Sequence, residues 1–62
     1  MKRRDLVAHL EAHGCVLVRE GANHTVYRNA STGEWSTIPR HREVKDDLAR
    51  KICRDLSVPS PR

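Results

Sequence analysis

Breakers cut the middle of this chain into pieces too short to be helices. Gly14, the Gly21-Ala22-Asn23 run, the Asn29-Ala30-Ser31-Thr32-Gly33 run and Pro39 leave three segments between them, each rich in β-branched or aromatic residues. Cys15-Val16-Leu17-Val18-Arg19, His24-Thr25-Val26-Tyr27-Arg28 and Glu34-Trp35-Ser36-Thr37-Ile38 are therefore expected as strands. Pro39 stops the third, because it has no N–H to give to a ladder. Short connections make the three an antiparallel meander.

On either side the apolar period changes from two to that of a helix. From Arg3 to His13, Leu6, Val7 and Leu10 share one helical face, and Gly14 stands where a left-handed residue ends a helix. After the loop Pro39-Arg40-His41-Arg42-Glu43, the residues Val44, Leu48, Ile52 and Leu56 fall four apart, with Ala49 and Cys53 widening the stripe. Asp46 or Asp47 near its start and Arg54 near its finish suit the dipole of a second helix. Val58-Pro59-Ser60-Pro61-Arg62 cannot continue it and reads as a frayed tail. The expectation is an α+β fold of two layers, helix-strand-strand-strand-helix, with both helices on one face of the three-stranded sheet. The other face is left to solvent or to a ligand. A single domain spans 1–58, with a short C-terminal tail over 59–62.

Size and charge narrow the function classes. A chain of 62 residues hides only about 60% of its unfolded surface on folding, which excludes a cofactor-filled interior. No run approaches the roughly 18 apolar residues of a membrane span, and no signal-peptide core follows Met1-Lys2-Arg3-Arg4, so a cytoplasmic location is expected. Twelve Lys and Arg against eight Asp and Glu leave a formal charge of +4, spread evenly over the two halves. Such a balance favours a polyanionic partner, nucleic acid or an acidic protein, on a surface that folding must assemble. Cys15 and Cys53 have no CxxC pattern and read as buried small hydrophobes. With only three Gly there is no phosphate-cradling loop, and Ser31, Ser36, Ser57 and Ser60 lack a nucleophile context.

In this order of elements the chain resembles the HicA family of toxins from bacterial toxin–antitoxin pairs, over nearly its whole length. The resemblance rests on Gly14-Cys15-Val16-Leu17-Val18-Arg19, Gly21-Ala22-Asn23-His24-Thr25-Val26-Tyr27, Ile38-Pro39-Arg40-His41 with Glu43-Val44-Lys45, and Leu48-Ala49-Arg50-Lys51-Ile52. The chain differs in having Ala22-Asn23 where a lone Ser usually stands, and Lys45-Asp46-Asp47 where Lys-Gly-Thr is usual. The resemblance implies a fold like that of a double-stranded-RNA-binding domain and a metal-independent endoribonuclease, without cofactor, that cleaves mRNA. It further implies a type II toxin–antitoxin system with a HicB-type antitoxin as protein partner. By its spacing to Tyr27, His24 matches the family's catalytic histidine.

The residues themselves fit that chemistry. Cleavage by internal transfer needs a base for the ribose 2′-hydroxyl, an acid for the departing 5′-oxygen and positive groups around the phosphorane. Imidazole, with an ordinary pKa of about 6.5, can serve in both directions near neutral pH. Alternation puts His24 with Val26 and Arg28, at the mouth of a hairpin, and Arg28, Arg40, His41 and Arg42 are the expected RNA contacts. The plainer reading of His24 is a partly exposed strand histidine without a task, and that of His41 is a solvated loop. His9 and His13 share a helix side but have no third ligand at metal spacing. Lys2, Arg3 and Arg4 either grip phosphates or form a solvated basic turn. Trp35 and Tyr27 could stack on bases, but a chain without Phe is expected to need both in its core. Two other function classes stay open: a non-catalytic RNA-binding module of the same fold, and a small basic domain for an acidic protein partner.

Overall fold

A computed structural model describes residues 1–61 as two helices laid on one face of a three-stranded sheet. The elements follow as α1 (Arg3–Ala12), β1 (Cys15–Glu20), β2 (His24–Asn29), β3 (Trp35–Pro39) and α2 (Asp46–Asp55). Strand order is β1-β2-β3, antiparallel throughout, so β2 is central and the other two are edges. The α+β architecture expected from the breakers and periods is the one observed. Gly14 ends α1 with φ +87°, a left-handed value that only glycine adopts without steric cost. Val18 is bulged out of register between Leu17 and Arg19.

Parity decides what each strand buries. In β2, Thr25, Tyr27 and Asn29 point to the helices while His24 and Arg28 stay exposed. In β3, Ser36 and Ile38 point inward. Trp35 therefore faces out, 63% exposed, rather than joining the core as its size suggests. A period of two can bury Ile38 with Ser36 or Trp35 with Thr37, not both. Tyr27 is in the core as expected, and its hydroxyl donates to Glu11 Oε2 at 3.0 Å. Burial first, then the Glu11 carboxylate, raises this phenol above its ordinary value of 10, so it remains a protonated donor.

Around that face gather Leu6 and Leu10 of α1, Cys15, Tyr27 and Ile38 of the sheet, and Val44, Ala49, Ile52, Cys53, Leu56 and Val58. Both cysteines are buried thiols, as expected, and burial pushes both above the ordinary thiol range. Leu48 departs from the predicted stripe and is 36% exposed. Val44 lies ahead of α2, so the helical register runs through Ala49, Ile52, Cys53 and Leu56, and Leu48 flanks it.

The segment after α2 does not fray at once. Ser57 takes φ +57°, its N–H donates to Arg54 O at 3.1 Å, and the Val58 N–H donates to Cys53 O at 2.9 Å. That pair of bonds is a Schellman motif, and it turns Val58 back into the core. Pro59 O then accepts a hydrogen bond from His9 Nε2 at 2.7 Å. The last tail residue, Arg62, lies outside the described residues.

Asn29 ties the far end of the sheet to α2. Its buried Nδ2 donates to Leu56 O at 2.7 Å, and its Oδ1 accepts from the backbone N–H groups of Ser31 and Thr32 at 2.8 and 3.3 Å. One side chain thus shapes the β2–β3 turn and satisfies a helix-end carbonyl. Asn29→Ala leaves that carbonyl buried without a partner and should lower unfolding free energy by about 2–3 kcal/mol. Urea denaturation reads the loss, and Thr32→Ala, which removes only exposed bonds, should change little.

Candidate functional site

His24 owes its position to a two-residue hairpin loop. The Gly21 N–H donates to His24 O at 2.8 Å across Ala22-Asn23, and a Cβ on Gly21 would stand 3.2 Å from that same carbonyl. The close approach favours glycine and puts the imidazole on the first residue of β2, exposed. Its cross-strand neighbour on β3 is Pro39. Among the described residues its ring has no hydrogen-bond partner, so both nitrogens are open to a ligand.

The loop after β3 is held against the start of α1. Lys2 and Glu43 form an antiparallel bridge, the Arg3 N–H donates to Arg42 O at 2.8 Å, and the Val44 N–H donates to Met1 O at 2.8 Å. The Arg3 side chain reaches further. Its Nε donates to Pro39 O at 3.0 Å and its Nη2 to the buried Thr25 Oγ1 at 2.7 Å. A single guanidinium therefore clasps the ends of β2 and β3, at Thr25, next to His24 on β2, and at Pro39, opposite His24 on β3. Its fork spans both acceptors, which a point donor such as an ammonium cannot do.

The predicted RNA contacts fall into three places. Arg40 and Arg42 line a cleft together with Lys2, Arg3 and Arg4. Arg40 Nη1 donates to Gly21 O at 3.1 Å and lies 3.6 Å from Glu20 Oε1, which brings it against the hairpin that carries His24. His41 is exposed and lies outside that cleft's lining. Arg28 sits apart, four residues along β2, or about 13 Å from His24 at the usual strand rise. Its cross-strand neighbours are Val16 and Trp35. These two, with Val18, make the open face of the sheet more apolar than its charge suggests, since Val16 and Val18 are also about half exposed, at 46% and 55%.

Contacts made by the N-terminal cations were not legible in the sequence, because strand-like pairing of Lys2 with Glu43 has no local signal. The His9 and His13 rings lie tilted at 50° with centroids 4.5 Å apart, and His13 Nδ1 lies 2.9 Å from His9 O. Among the described residues no three His, Cys, Asp or Glu side chains gather as metal ligands. No helix there is long and apolar enough to cross a membrane.

The family model for the HicA toxin of bacterial toxin–antitoxin systems matches residues 3–58 of this chain. The chain belongs to the HicA toxin family. No curated protein and no solved structure matches it. The matched span runs from the first residue of α1 through Val58, so it takes in the Arg3 clasp, His24 and the basic loop. Membership in the HicA family implies pairing with an antitoxin.

The clasp generates a direct test. Arg3→Lys keeps the charge but can satisfy only one of the two acceptors, and should cost about 1–2 kcal/mol of stability. Arg4→Lys, at an exposed neighbour without such a bond, should cost nothing measurable. Equal stability of the two variants in urea denaturation would contradict the clasp.

Proposed function

We propose that this HicA protein is an endoribonuclease toxin that cleaves mRNA through His24, with single-stranded or loosely paired RNA as substrate. The observation that carries the reading is the imidazole of His24, exposed on the first residue of β2, with Arg40 of the β3–α2 loop held against the hairpin that presents it. As the 2′-oxygen attacks the adjacent phosphorus, neutral imidazole takes the 2′-hydroxyl proton. The bond to the 5′-oxygen breaks, and the imidazolium is placed to return a proton to that leaving oxygen. Products are a 2′,3′-cyclic phosphate and a 5′-hydroxyl. Arginine side chains offset the charge that gathers on the non-bridging oxygens. None of these steps requires a metal.

The antitoxin proposed as partner is a HicB-type protein seated on the open sheet face in the cytoplasm. Val16, Val18 and Trp35 supply apolar area there, and His24 shares the face. Covering it would hide the catalytic group from RNA and give a protein–protein contact the anchors that charge alone lacks.

His24→Ala separates chemistry from structure. An exposed strand-end side chain carries little packing, so stability should change by less than about 1 kcal/mol. A positioned acid or base is worth about 10²- to 10⁴-fold, so cleavage of an RNA oligonucleotide and growth arrest should both collapse. The antitoxin complex should survive. Retained cleavage by the variant removes His24 from the mechanism. A wild-type protein that shifts RNA on a gel without ever cutting it is a binding module instead.

A further inference from the structure

Five cationic side chains, Lys2, Arg3, Arg4, Arg40 and Arg42, line one cleft at the ends of β2 and β3, and no acidic or apolar side chain joins them. Two of the five are committed to the fold. Arg3 clasps Pro39 O and Thr25 Oγ1, and Arg40 is held by Gly21 O and Glu20. Lys2, Arg4 and Arg42 are exposed, and among the described residues their side chains have neither a hydrogen bond nor an ion pair. The nearest acids in sequence are engaged elsewhere. Asp5 lines a different cleft with Asp46 and Arg50, and Glu43 Oε1 lies 3.5 Å from the Met1 amine.

This arrangement works against stability. Lys2 is the N-cap residue of α1, and Arg3 and Arg4 open its first turn. The helix dipole is positive there and disfavours cations, and the five like charges also repel one another. An anion in the cleft relieves both effects at once. Unpaired ammonium and guanidinium groups, here those of Lys2, Arg4 and Arg42, are donors that phosphate oxygens take.

We infer that the cleft is a backbone-phosphate subsite, through which Lys2, Arg4 and Arg42 hold the RNA strand on one side of the His24 cut. The inference rests on the ribonuclease reading and adds the direction of the strand. RNA that meets His24 could run along β2 toward Arg28, where one cation stands among exposed apolar side chains. Running over Pro39, the cross-strand neighbour of His24, it enters the five-cation cleft instead. Charge favours the second course. An acidic protein segment would be expected to seek apolar surface as well, and that surface lies on the sheet face, not in the cleft.

The test is the salt dependence of binding to a single-stranded RNA oligonucleotide, measured by fluorescence anisotropy on the uncut His24→Ala background. Each phosphate contact contributes about 0.7 to the slope of log affinity against log salt for single strands. Lys2→Gln, Arg4→Gln and Arg42→Gln together should lower that slope by about 2 and weaken binding about tenfold or more at low salt. The matched control, Arg50→Gln, Lys51→Gln and Arg54→Gln, removes the same charge from the α2 surface and should leave the slope nearly unchanged. Each single substitution should lower it by about 0.7, so the result does not depend on one triple variant folding. Equal effects of the two triples overturn the subsite, as does a cleft triple that binds RNA normally and loses only the antitoxin. If wild-type protein cuts and binds RNA while the cleft triple keeps the full slope, the subsite alone falls. If wild-type protein neither binds nor cuts RNA, both readings fall.

Discussion

The functional end of this molecule depends on the guanidinium of Arg3. Its two hydrogen bonds, to Pro39 O and Thr25 Oγ1, fasten the start of α1 to the ends of β2 and β3. Backbone bonds from Arg3 to Arg42 and from Val44 to Met1 extend the seam along the loop. Without that seam, the Arg40-His41-Arg42 segment would be an ordinary exposed connection between a strand and a helix. With it, Arg42 is brought beside the N-terminal cations, and Arg40 is held over the hairpin that presents His24. A small protein with one core thereby builds a charged, concave edge from side chains about forty positions apart.

Much of the fold was legible because its signals are local. Breakers set the strand limits, and the change of apolar period from two to that of a helix set the order of layers. Side-chain destinations were less legible where a local rule met a competing one. Size suggested burial for Trp35, but Ile38 set the parity of β3. A four-residue spacing carried back to Val44 pulled Leu48 into the stripe, although Val44 precedes α2. Val58 looked like tail until the left-handed Ser57 turned it inward. In the candidate site, the exposed place of His24 followed from the Gly21 hairpin, which is again local. The cleft that gathers Lys2, Arg3 and Arg4 with Arg40 and Arg42 depends on a pairing with no local signature.

The two faces of the sheet divide the work. One is closed by α1 and α2 over a core that includes Tyr27 and Ile38. The other carries His24 and Arg28 with Val16, Val18 and Trp35, a mixture of titratable, cationic and apolar groups suited to being covered. For a member of the HicA family this division has a consequence. A protein seated on the apolar part of the open face reaches His24 without touching the cationic cleft at the strand ends. In the proposed subsite, RNA drawn into the cleft would meet His24 from the other side. On the proposed reading, antitoxin and substrate overlap at the imidazole and compete there.

Internal transfer by His24 is the central claim, and it is tested most directly by a substrate rather than by a variant of the protein. An RNA oligonucleotide carrying a single 2′-deoxyribose at the mapped cleavage position lacks only the internal nucleophile. The account predicts that this substrate binds as tightly as its parent yet is not cut there, while the parent yields 2′,3′-cyclic phosphate and 5′-hydroxyl ends. Cleavage of the deoxy-substituted strand at the same position, with a 5′-phosphate on the product, would contradict it.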